Sequence, residues 1–196
     1  MPPALERLVV RGAGARSGEV PRVARLTDAA AHQAAWWWCV LCARADLAWL
    51  ALAGPLAYVG AHVALRPAWR SRVLVLAVFG ALLGLCGDAL LVHAGYLASR
   101  PALERGATLP FMASLWSIAA VSLTLSSAFV ASLAPWQAAL AGVVVGPLAY
   151  AGGARLSVLV LAPGAPLLVA VEWALLLPLV TRCARALGRP QNEAAP

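Results

Sequence analysis

The chain has 196 residues, of which 62% are hydrophobic and only 12% charged, with a mean hydropathy of +0.81. A soluble domain carries roughly a quarter charged residues, so this composition excludes an ordinary water-soluble globule and makes lipid the natural solvent for much of the surface. The net charge of +7 does not mark a nucleic-acid binder, because the arginines gather in the N-terminal segment, between apolar blocks and in the tail, as membrane topology requires.

Residues 1–27 hold Arg7, Arg11, Arg16, Arg22 and Arg25 among glycines and prolines, with no apolar run long enough for a signal-peptide core. They read as an Arg-rich cytoplasmic extension without fixed structure. All of the 15 basic residues are arginine, a usage that fits a GC-rich genome and carries no functional weight.

A membrane domain is expected over 28–187, in six spans. The first and shortest runs from Asp28 through Trp36, Trp37 and Trp38 to Ala43, closed by Arg44 to Asp46. The second covers Leu47 to Leu65. After Arg66, Arg70 and Arg72 the third runs from Val73 to Leu97. Crossing the hydrocarbon takes about 20 residues, which the later spans supply.

Arg100, Pro101, Glu104 and Arg105 separate the third span from the fourth, Leu109 to Leu133. Only Ala134 and Pro135 precede the fifth, Trp136 to Leu156, so these two form a tight hairpin. Pro163, Gly164 and Pro166 break the chain before a sixth span, Leu167 to Arg182. Residues 188–196 read as a flexible cytoplasmic tail.

The fold class is therefore all-α, an integral membrane bundle of about six transmembrane helices. With the N terminus inside, the inner segments hold eleven arginines and the outer loops three, so both ends are expected in the cytoplasm. Trp69 and Trp136 then lie at the inner interface, where indole rings are favoured. Gly80 and Gly84 in the third span, and Gly142 and Gly146 in the fifth, form G-x-x-x-G pairs that permit close helix packing. No inverted repeat stands out.

Cys39 and Cys42 form a C-x-x-C, but no second Cys or His pair stands at ligand spacing, so a metal site is not expected. Cys86 and Cys183 sit in apolar blocks, where a free thiol behaves as a small hydrophobe.

Three charges fall inside or at the rim of apolar spans: Asp88, Arg155 and Glu172. A central charge costs about 2.5 to 3.5 kcal/mol on insertion scales, so each needs a partner or a purpose. By helical rise all three come out in the outer half of the bilayer, and Asp88 shares a stripe with Gly80, Gly84 and Gly87. The set is a candidate pocket for a small polar or lipid-headgroup ligand; the alternative is an ion-paired staple in a non-catalytic scaffold. His62 and His93 read as structural. No nucleophile, paired-acid or His-rich motif indicates an enzyme, and no cofactor is implied. Membrane lipids are the expected partners, with a small-molecule or lipid ligand as a further one.

The run Gly-Pro-Leu-Ala-Tyr-Ala-Gly-Gly-Ala-Arg-Leu from Gly146, with Val-Glu-Trp-Ala-Leu-Leu-Leu-Pro from Val171, resembles a family of small bacterial inner-membrane proteins catalogued as domain of unknown function 2878. Gly87-Asp88 and the Trp-rich opening fit the pattern, and the likeness covers about residues 30–186. It implies a multi-pass protein of the bacterial inner membrane and brings no mechanism. The family pattern often carries a His-containing pair in the fourth span, where this chain has Ser126 and Ser127, so a relay through that pair is not implied here.

Overall fold

The computed structural model describes residues 21–47, 49–99 and 108–188. Seven α-helices and one short two-stranded ladder are present among them: α1 (Arg22–Arg44), α2 (Ala53–Leu65), α3 (Arg70–His93), β1 (Leu97–Ser99), α4 (Thr108–Ser122), α5 (Ala128–Ser132), α6 (Pro135–Arg155), β2 (Leu159–Leu161) and α7 (Ala165–Ala186). Three helical segments, Pro67–His93, Pro135–Arg155 and Ala165–Ala186, are long and apolar enough to cross a membrane. Leu50–Leu65 and Pro110–Ser122 are apolar but shorter. Among the described residues, length and composition thus support three of the six expected crossings.

Two differences from the expected spans have local causes. α1 begins at Arg22, six residues before Asp28, so that Asp28 lies within the helix, on one buried face with Ala35, Cys39 and Ala43 at seven- and four-residue spacing. The tail and the first twenty residues lie outside the described part. The expected fourth span is broken into α4 and α5 at residues 123–127. There the Ser122 and Thr124 hydroxyls donate to the carbonyls of Ala119 and Val121 at 2.7 and 2.8 Å, back-bonding that competes with the helical ladder.

The centre of the molecule is one pattern used twice. α3, β1 and α4 form a hairpin, and α6, β2 and α7 form another. Gly142 and Gly146 stand 62 residues after Gly80 and Gly84. A Cβ on Gly80 would strike the backbone carbonyl of Trp116 in α4, and one on Gly84 would strike its ring. In the second hairpin a Cβ on Gly142 would meet the backbone carbonyl of Trp173 in α7, and one on Gly146 its ring. Each G-x-x-x-G pair therefore seats the tryptophan of the helix that returns beside it.

The helix ends match as well. α3 stops with Gly95 at φ 77 and a bond from the Tyr96 N–H to the Leu91 carbonyl; α6 stops with Ser157 at φ 58 and a bond from the Val158 N–H to the Gly153 carbonyl. Both are left-handed stops of the kind that satisfies the last carbonyls of a helix, and again each residue lies 62 positions from its counterpart. β1 and β2 then pair antiparallel, with Leu97 opposite Leu161, Ala98 opposite Val160 and Ser99 opposite Leu159. The hairpins thus face one another across an approximate two-fold axis through the Ala98 and Val160 pair. The symmetry is incomplete, since α3 packs directly on α7 while α4 and α6 meet sparsely at most.

Candidate functional site

Two polar layers lie at opposite ends of the bundle. The first is near the β ladder, on the local axis. Asp88 is fully buried on α3; its Oδ2 accepts the Trp116 indole N–H at 3.0 Å and its Oδ1 accepts the Tyr150 hydroxyl from α6. Tyr150 stands 62 residues after Asp88, so the acid and the phenol occupy equivalent places in the two hairpins and bond across the axis. Trp116 and Trp173 also meet there, with ring centroids 4.5 Å apart and planes inclined by 34°.

Glu172 enters the same layer from α7. Its carboxyl presses on Gly87, the neighbour of Asp88, and only 9% of the residue is exposed. Neither of its oxygens has a hydrogen-bond partner among the described residues. Because Trp116 and Trp173 are counterparts 57 positions apart, Glu172 holds the place that Leu115 holds in the first hairpin.

Arg155 does not join them. It is the last residue of α6 and exposed, whereas the buried face of that helix is Ala138, Gly142, Gly146, Tyr150 and Gly153. Neither Pro147 nor the Gly152-Gly153 pair turns the helix end enough to bring the guanidinium inward. The expected three-charge layer is therefore an acid pair with a tyrosine and an indole, and the cation sits outside it, exposed at the helix end.

The second layer lies at the end where both described termini fall. Tyr58 and His62, four residues apart on α2, share a face and converge on Asp28 of α1. Asp28 Oδ1 accepts the Tyr58 hydroxyl at 3.0 Å and lies 2.6 Å from His62 Nε2, and its Oδ2 accepts the Ser126 backbone N–H at 2.9 Å. All three side chains are buried. Asp28 thereby supplies an acceptor to the chain exactly where the break between α4 and α5 frees backbone N–H groups. His32, one turn further along α1, meets the Tyr58 ring edge-on with centroids 5.8 Å apart.

This layer ends an open groove of about 760 Å³ between α1 and α2. Its walls are small or apolar: Ala31, Ala35 and Trp38 on one side, Gly54, Ala57 and Ala61 on the other, with Arg66 at the polar end. The Trp38 indole N–H donates to the Leu50 carbonyl at 3.0 Å, and its ring occupies the space a Cβ on Gly54 would need. His62 Nδ1 is buried with no partner among the described residues.

Reading the sequence missed this second layer. Asp28 served as a span boundary and His62 as a lone structural histidine. The available signal was the Tyr58 and His62 pair at i, i+4 on a helix with no charged residue to balance it, which demands a polar partner from another helix. The thiols of Cys39 and Cys42 are free, Cys39 lying buried 3.8 Å from the Ser114 hydroxyl, and no three-residue metal-ligating group occurs among the described residues.

The fold and both layers define an all-helical protein with membrane-compatible helices, built around a duplicated hairpin and containing buried acids. The chain belongs to the family described as "Protein of unknown function (DUF2878)", whose model matches residues 25–179. That range contains both hairpins up to Leu179 and both polar layers. No curated protein and no solved structure matches the chain.

Proposed function

We propose that this chain is a multi-pass protein of the bacterial inner membrane that binds an amphipathic small molecule, a lipid or lipid-like compound, in the groove between α1 and α2. One observation carries the reading: an open, apolar groove of about 760 Å³ that ends on a buried Asp, His and Tyr set. Ligand sites fall at roughly 300 to 1,000 Å³ and pair apolar walls with a few polar groups. The small side chains of the walls admit an acyl or isoprenoid body. Tyr58, His62 and Arg66 then line the groove beside its head, with Arg66 supplying the charge there.

With the N terminus inside, the arginine distribution puts this head-binding end at the cytoplasmic face. The groove replaces the ladder-end charges as the ligand site, because Asp88 is enclosed and already bonded on both oxygens. A second reading, a non-catalytic scaffold, has one observation in its favour: those same bonds make Asp88 a staple that ties α3, α4 and α6 together.

The test is the lipid that accompanies the protein through purification in mild detergent. Ala57→Trp fills the groove from its wall without touching Asp28. It is expected to fold and to lose a lipid that wild type retains, measured by mass spectrometry of the intact complex. If wild type and Ala57→Trp carry the same lipid, or if wild type carries a protein partner in the groove and no lipid, the reading fails.

A further inference from the structure

The acid pair on the local axis asks what neutralises Glu172. An ionised carboxylate taken out of water needs hydrogen bonds or a counter-charge. Glu172 is nine-tenths buried and has neither among the described residues. The groups facing it come from three helices. α3 supplies Gly87 and Asp88, α4 supplies the Trp116 indole, whose N–H is committed to Asp88, and α6 supplies Tyr150, whose hydroxyl is committed to Asp88 as well. On α7 itself the neighbouring Trp173 ring stacks on Trp116. Arg155 is exposed at the end of α6.

A metal cation fits poorly. Hard cations collect six or more oxygen ligands, whereas this layer offers two carboxyls and a phenol already in use. The carboxyl of Glu172 also rests against the Gly87 backbone, which closes the space a cation and its waters would fill. A proton needs no such space.

We propose that Glu172 and Asp88 form a proton-binding site at the interface of the two hairpins, with the proton carried by Glu172 and the negative charge by Asp88. The division follows from the bonds. Asp88 has two donors to stabilise its charge, and Glu172 has none. In binding, a Glu172 carboxylate oxygen gains an O–H bond from a hydronium ion, which leaves as water. Loss of that proton would place two like charges together in the core, so deprotonation and separation of α3 from α7 are linked, each favouring the other. The asymmetry of the fold agrees with this: glycine stands at position 87 where its counterpart is Ala149, and that missing methyl admits the carboxyl of Glu172. Sites at the interface of parallel repeats are where membrane proteins couple ion binding to movement of one half against the other.

Infrared spectroscopy of the purified protein in detergent at neutral pH reads the protonated acid directly, through the carbonyl stretch of a carboxylic acid. Wild type is expected to show such a band, and labelling glutamate with carbon-13 should move it while labelling aspartate leaves it in place. Glu172→Gln, which keeps the shape and removes the titration, should abolish the band and keep the thermal midpoint of wild type. The proposal is overturned if folded wild type has no glutamate-derived band, if the band survives in Glu172→Gln, or if sodium or calcium at constant pH removes it. Should Glu172→Gln fail to fold, the isotope comparison in wild type decides alone.

Discussion

The two polar layers solve the same problem in opposite ways. At the ladder end, Asp88 and Glu172 sit in a closed core of tryptophan, tyrosine and glycine, where every neighbour is fixed by the packing of two hairpins. At the other end, Asp28 and His62 are buried as deeply, but they line an open groove between α1 and α2. Burial alone therefore does not separate a site from a staple. What separates them is whether the polar group is enclosed by its own helices or left at the end of a space that other molecules can enter.

Substitutions can break this contrast, and the largest effect is expected in the closed layer. Gly84→Leu drives a side chain into the Trp116 ring, and overpacking of a tight core costs about 3 kcal/mol. A purified variant that unfolds in detergent at wild-type temperature would mean that the Gly84 and Trp116 contact is looser than described. Next comes Asp88→Ala, which leaves the Trp116 N–H and the Tyr150 hydroxyl without their acceptor. At about 1 to 3 kcal/mol for an orphaned buried group, thermal unfolding should show a loss of about 2 kcal/mol, clearly greater than for Glu172→Gln.

Asp28→Asn probes the open layer. It keeps an acceptor for Tyr58 and His62 but turns an amide NH2 toward the Ser126 backbone N–H, so thermal unfolding should show a loss of about 1.5 kcal/mol, with a larger change in retained lipid than in stability. Ser157→Gly is expected to go the other way. Ser157 holds φ 58 where its counterpart is Gly95, and relief of a left-handed serine should add about 1 kcal/mol to stability. Smallest of all, Arg155→Ala should change the unfolding midpoint by less than about 0.5 kcal/mol equivalent; a loss above that would tie the guanidinium to the acids after all.

Much of the helical framework was legible because apolar runs and their breaks are local signals. The breaks at the Pro163-Gly164 turn and around Pro135 fall where the sequence places them, whereas α3 stops at His93, short of the expected end at Leu97. The break at residues 123–127 was not legible, since Leu-Thr-Leu-Ser-Ser is apolar enough to read as span and only the hydroxyl-to-carbonyl bonds reveal the turn. Asp88 and Glu172 announced themselves by cost, but their partners did not. Tyr150 and Trp116 are ordinary membrane residues until the hairpins bring them to one place. The duplicated pattern was present as two G-x-x-x-G pairs and two tryptophans, with counterparts that otherwise share little side-chain identity. Equivalence there is carried by backbone geometry, which hydropathy cannot display.

The duplication has a consequence for what chemistry the axis can host. Two copies of one hairpin meeting across a true two-fold would set aspartate against aspartate, or tyrosine against tyrosine, and leucine or glutamate would appear twice. A single chain carrying both hairpins is released from that rule. Asp88 can face Tyr150, and Glu172 can replace a leucine on one side only, so a symmetric scaffold acquires a polarity that a dimer of identical halves could not have.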